Sequence, residues 1–228
     1  MTGPERPGGL DFAPWLEHVF GHEVRHHQAQ WYFDLDAPIW DGPAALTAAH
    51  LIRMFENPEP ALADFAASQI VQGLYYLIDP GAGGLTLDVA KPEVSHDQRR
   101  RFVRSIGTLF ADFLARRCTP HLSHLDETGA GALNGVCYMW WDVMPWVHVQ
   151  GDRRAQAELD RDILQVMDMT LGLDSIACQE SALHGLGHAQ SQFPEPVAAI
   201  IERFLAASAE RRPELIGYAR AALCGCVQ

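Results

Sequence analysis

Positive charge is scarce in this sequence. Its 17 Lys and Arg stand against 29 Asp and Glu, a formal charge of −12. The field of such a chain repels phosphate backbones and anionic lipid. The densest basic stretch, Arg99, Arg100, Arg101 and Arg104, reads as the solvated start of a helix. No nucleic acid and no membrane is therefore expected as a partner, and a neutral or basic protein surface fits better. Long apolar runs are lacking as well. The most apolar one, 135–149, carries Asp142 and Pro145 and is too short to cross a bilayer. The first residues lack the basic-then-apolar order of a signal peptide. Cysteines are few and odd in number: Cys118, Cys137, Cys178, Cys224 and Cys226, mostly in apolar stretches. That usage suits reduced, buried thiols in a cytoplasmic protein and not a disulfide framework. Nucleophile elbows, phosphate-binding loops, dinucleotide fingerprints and calcium loops are all missing.

What is present is helical pattern. With 228 residues, 48% of them hydrophobic and 20% charged, the chain is expected to fold as one globular domain over 1–228. Residues 1–10 read as a flexible tail. Asp11 is placed to cap a short helix to Phe20, and Gly21 interrupts it. The stretch 22–41 is aromatic and irregular, an extended segment pinned by Trp31, Tyr32, Phe33 and Trp40. Asp41-Gly-Pro43 opens a helix, with proline in its first turn, that runs to about Glu56, a short one follows Asn57, and Ser68 is placed to cap the next. Leu85–Val89 reads as a brief strand without an evident partner. Ser95-His-Asp-Gln98 is a capping box, followed by apolar residues at helical spacing to Arg117. Leu133–Val147, apolar nearly all round, is expected as the central buried helix. Helices over 152–171, from 174 or 175 toward the Phe193-Pro-Glu-Pro turn, 196–208 and 213–223 complete an all-α chain.

Within the last of these, Cys178-Gln-Glu-Ser-Ala-Leu-His-Gly-Leu-Gly187, a turn with Pro194, and Val197–Leu205 resemble a HEAT-type repeat. Ala182 with Gly185 or Gly187 would allow close helix approach, and Leu183 and Leu186 would fill the seam. The match spans roughly one repeat of about 40–47 residues, within 174–224, and no fixed period extends along the rest. The resemblance implies an irregular stack of antiparallel helix pairs, an α-α superhelix in small. It also implies a module that binds a protein partner without catalysis and without a cofactor. The deoxyhypusine hydroxylases, HEAT-repeat proteins that hold two irons through repeated His-Glu pairs, are a poor match. His-Glu occurs here only at His22-Glu23.

The alternative function is a zinc- or iron-dependent enzyme, most simply a hydrolase, built from the 11 histidines. His22-Glu-Val-Arg-His26 has the H-E-x-x-H spacing that puts two imidazoles on one helical face with a general base between. Glu180, His184 and His188 recur at i, i+4, i+8 on one helix. His121 and His124 lie in a loop that, folded over that helix, would complete a four-histidine set with His184 and His188. Trp140, Trp141 and Asp142 suggest a ligand pocket with one carboxylate; alternatively Asp142 accepts a hydrogen bond from a tryptophan, an arginine or a helix end. Glu180, His184 and His188 are the other candidate binding residues. Cys224-Gly-Cys226 has no second pair to make a metal site.

Overall fold

A computed structural model describes residues 11–24, 30–207 and 211–227. The N-terminal tail and His26 lie outside the described residues. Everything described is helix, turn or irregular chain, with no strand. The helices are α1 (Phe12–Phe20), α2 (Ala44–Glu56), α3 (Pro58–Leu62), α4 (Ala67–Ile78), α5 (His96–Leu109), α6 (Ala115–Arg117), α7 (Ala132–Tyr138), α8 (Trp140–Val143), α9 (Arg153–Leu171), α10 (Ile176–Ala189), α11 (Pro194–Ala206) and α12 (Pro213–Leu223). A π-turn at Phe110–Leu114 joins α5 to α6. None of these helices is long and apolar enough to cross a membrane.

The strongest local signals hold. Gln98 N–H donates to Ser95 Oγ, and Ser95 N–H donates to Gln98 Oε1, closing the capping box that starts α5. Asp152 Oδ1 accepts the Arg154 and Ala155 N–H groups at the start of α9, and Gly172 ends it. Ser175 caps α10. Other expectations shift. Helix α4 begins at Ala67, so Ser68 sits inside its first turn and cannot cap it; Gln69 Oε1 instead accepts the Ala66 N–H. Leu85–Ala90 is a 3-10 helix and not a strand. Gly84, in the left-handed region at φ +57°, turns the chain into it, and Leu85 and Val89 pack inward.

The arginines at the start of α5 are not simply solvated. Arg99 is buried and donates to the Val89 and Lys91 carbonyls, fastening the 3-10 helix to α5. Arg100 Nε donates to Asp162 Oδ2 at 2.6 Å, and Arg104 reaches Oδ1 of the same carboxylate. Burial alone would raise the Asp162 pKa, but the hydrogen bonds from Arg100 and Arg104 outweigh it and bring it down. Arg101 pairs with Glu56 on α2. One basic cluster thus ties α5 to α9, α2 and the 3-10 segment.

Helices pack in succession, α2 on α5, α5 on α9, α9 on α10 and α10 on α12, over one continuous apolar core. The central helix is α10, which also meets α7, α8 and α11. The expected central helix at 133–147 is instead two short ones. Met139 (φ −79°, ψ 0°) breaks it, and it stops before Pro145, whose ring disfavours helical backbone in the residue before it. The break lets the adjacent Trp140 and Trp141 both enter the core while Asp142 faces out. Helix α10 can be central because its Ala, Ser and Gly residues leave room on several sides. A Cβ at Gly185 would stand 2.6 Å from Trp141 Cγ and 2.7 Å from its Cβ, so α8 comes as close to α10 as it does only because residue 185 is glycine.

The described part of the aromatic N-terminal segment is pinned by its rings, although Trp31–Phe33 forms a 3-10 helix where extended chain was expected. Trp31 stacks on His22 at 3.6 Å and leans on Tyr76, and Trp40 Nε1–H donates to Thr47 Oγ1. Phe33, by contrast, is exposed.

Candidate metal centre

Helix α10 sets Glu180, His184 and His188 on successive turns. Glu180 is fully buried, and its carboxylate is completely engaged. Oε2 accepts the Ser123 N–H at 2.9 Å, and Oε1 accepts the His124 N–H at 2.9 Å and its Nδ1–H at 2.6 Å. Those bonds hold the 3-10 turn Ser123–Leu125 over the helix. Downstream, Glu127 receives Arg212 and the Leu122 N–H, which hold its carboxyl down at about 2. The loop 119–131 is therefore fixed to α10 and to the start of α12.

His124 stacks on Tyr218 of α12, ring centroids 4.2 Å apart. The Tyr218 hydroxyl lies 2.7 Å from His184 Nδ1 and 3.1 Å from the Tyr138 hydroxyl. On the other side of its ring, His184 Nε2 faces His188 Nε2 at 3.1 Å, and His188 Nε2 is 3.5 Å from Asp142 Oδ1. One ligand atom each from Asp142, His184 and His188 lies within 4.8 Å of the others, the group of this kind found among the described residues. His184 is buried, 2% exposed, whereas the side chains of His188 and Asp142 are 40% and 42% exposed. The three atoms thus converge at a rim, with a protein wall behind and solvent in front.

The electrostatics keep the donors available. Burial, with the nearby His188 adding to it, pushes His184 down to about 4, so it is neutral at neutral pH and keeps one ring nitrogen as an acceptor. Burial also raises Tyr218 and Tyr138, so both phenols stay protonated. A consistent proton order follows. His184 Nδ1–H donates to Tyr218, Tyr218 O–H donates to Tyr138, and His184 Nε2 is left as an acceptor.

Several candidate residues lie elsewhere. His121 Nδ1 pairs with Thr119 Oγ1 at 2.8 Å, and His124 is taken by Glu180. The third member beside His184 and His188 is Asp142, whose partner among the described residues is His188. Trp140 packs against Phe55 and Phe110, and Trp141 stacks on Phe110; both belong to the core. His22 lies beyond the end of α1, with Glu23 and Val24 non-helical, and its Nε2–H donates to the His18 carbonyl at 2.8 Å; the H-E-x-x-H expectation also needs His26, which lies outside the described residues. Tyr218 carried no sequence signal, being 30 residues downstream of His188 without a motif.

Comparison with protein-family models, with curated proteins and with solved structures finds no match to this chain. The functional reading therefore rests on the chemistry of these side chains.

Proposed function

We propose that this protein binds a divalent transition metal, zinc foremost, through His184 Nε2, His188 Nε2 and a carboxylate oxygen of Asp142, and that the metal activates water for a hydrolytic reaction. The observation that carries the reading is spacing. Zinc with bonds of about 2.0–2.2 Å in tetrahedral geometry sets its ligand atoms roughly 3.3–3.5 Å apart. The two measured separations, 3.1 Å and 3.5 Å, fall close to that edge.

Three protein ligands with a fourth position facing solvent is the pattern of catalytic rather than structural zinc, and such a metal lowers the pKa of its bound water toward 7. The same two-His, one-carboxylate set also suits iron(II). Tyr218 fits the second-shell role: it takes the Nδ1–H of His184 and so turns Nε2 toward the metal.

The test is elemental analysis of the purified protein, with zinc and iron(II) titrations of the apoprotein. About one metal per chain, lost in His184→Ala and Asp142→Ala variants that keep parental helicity, is expected. Substoichiometric metal that those variants leave unchanged would remove this reading.

A second reading keeps the chain as a HEAT-like module for a protein partner. It draws support from the succession of packed helices and from a groove of about 470 Å³ between α9 and α11, walled by Leu164, Phe193, Pro196 and Ile200 and edged by Asp160 and Asp168. Absence of metal throughout the titrations would favour this reading over the first.

A further inference from the structure

Glu180 does not belong to the converging metal set, yet it sits one turn before His184 on α10. A carboxylate with no solvent contact is costly to bury unless its lone pairs are used. Glu180 directs its bonds at one target, the turn Ser123–Leu125. The shortest of them, 2.6 Å, goes to the His124 side chain and sets the plane of that ring.

The ring so placed lies face to face with Tyr218, with 4.2 Å between centroids and 21° between planes. Tyr218 in turn meets the edge of His184. Their rings are parallel within 1°, and the hydroxyl is 2.7 Å from Nδ1. A phenol oxygen lies on its own ring axis, so it leaves Nδ1 only when the whole ring swings about χ1. His124 closes one side of that swing, and the Tyr138 hydroxyl, 3.1 Å away, holds the oxygen end. The path is a closed circuit. It leaves α10 at Glu180, passes through the loop and α12, and returns to α10 at His184. A second tie presses the same surfaces together. Arg212, the residue before α12, donates to both carboxylate oxygens of Glu127, three residues after His124.

We propose that His124, held by Glu180, is a positioning residue that acts through Tyr218 on the proton placement of His184. With Tyr218 held, the His184 proton stays on Nδ1, and Nε2 faces His188 as an acceptor. Without the His124 face, the Tyr218 oxygen leaves Nδ1 in part of the molecules, and the proton spreads over both ring nitrogens. Nε2 is blocked as a ligand in that fraction, and metal affinity falls with it. The proton placement is a property of the metal-free protein; the effect on affinity rests on the metal reading above.

The test uses the full chain with nitrogen-15 in its histidines. Long-range proton–nitrogen spectra at neutral pH show which ring nitrogen of His184 carries the proton, the signal being assigned by its loss in His184→Gln. Nδ1 protonated and Nε2 bare is expected in the parent. His124→Ala, at a side chain 15% exposed, is expected to show both tautomers with helicity unchanged. His124→Phe keeps a ring face on Tyr218 and should keep the parental tautomer. Zinc titration should follow the same order, with roughly tenfold weaker binding in His124→Ala, the low end for loss of an outer partner, and near-parental binding in His124→Phe. Adding His124→Ala to Tyr218→Phe should cost nothing further, because the route runs through the hydroxyl. An unchanged His184 tautomer in folded His124→Ala would overturn the proposal. So would His124→Phe altered as much as His124→Ala, or losses that add in the double variant. If the parent binds no zinc, the metal reading falls, and the tautomer spectra decide the positioning role by themselves.

Discussion

Replacing Gly185 by alanine probes the contact that brings Asp142 to His188. The new Cβ would stand 2.6 Å and 2.7 Å from Trp141 Cγ and Cβ and 2.9 Å from Met167 Cε. Two of those atoms lie at the base of a side chain that is 2% exposed and stacked on Phe110, so they cannot swing aside. Helix α8 must move outward instead. Overpacking of this kind costs about 1–3 kcal/mol, and the contact at the base of Trp141 puts it near the upper end. Helix propensity favours alanine over glycine by about 1 kcal/mol and offsets part of that cost. The expected net loss is about 2 kcal/mol, or roughly 4–8 °C in Tm for a chain of this size. Gly217 supplies the control. It is exposed in α12 with nothing within 4 Å of an added Cβ, so Gly217→Ala is expected to stabilise by about 0.5–1 kcal/mol. Thermal and urea unfolding of both variants measure the two effects. Zinc titration of folded Gly185→Ala should show weaker binding, because the displaced α8 carries Asp142. If Gly185→Ala proves as stable as the parent, α8 and α10 do not approach in this way and the reasoning fails.

Other outcomes follow from the same contacts. Tyr218→Phe removes the acceptor for His184 Nδ1–H, and zinc affinity is expected to fall about 10–100-fold with the fold intact; calorimetric titration giving parental affinity would exclude the orienting role. Ser95→Ala should cost about 1 kcal/mol through the lost cap of α5, read as a lower urea midpoint at unchanged slope. Burial, then the nearby His22, pushes His18 down to about 4 from its ordinary 6.5. The unfolded chain therefore binds the extra proton between those values. The stability from His18 is complete above pH 6.5 and is lost as pH falls toward 4. His50, lowered by burial and then by Arg53, acts in the same direction. Urea midpoints at pH 7.5 and 5 should differ accordingly, and an NMR titration placing His18 near 6.5 would refute this account.

Local chemistry was readable one residue at a time. The Ser95–Gln98 box and a cap at Asp174 or Ser175, of which the structure uses Ser175, act within a few residues, and so they mark boundaries in any context; Pro194, read as part of a turn, instead opens α11. The i, i+4 pair His184–His188 was visible for the same reason. Its surroundings were not. Asp142 comes from a helix 42 residues earlier, and the local pattern placed it in a buried helix; the break at Met139 and the close approach at Gly185 turn it outward beside His188. His124 looked like a fourth ligand, but Glu180, fully buried, needed its proton more than an open site did. Helix α10, whose small residues blur its amphipathic pattern, became the centre because five helices pack around it. Caps, turns and helix faces are short-range properties and belong to the sequence. Which imidazole meets which carboxylate is a long-range property, decided only when the helices pack.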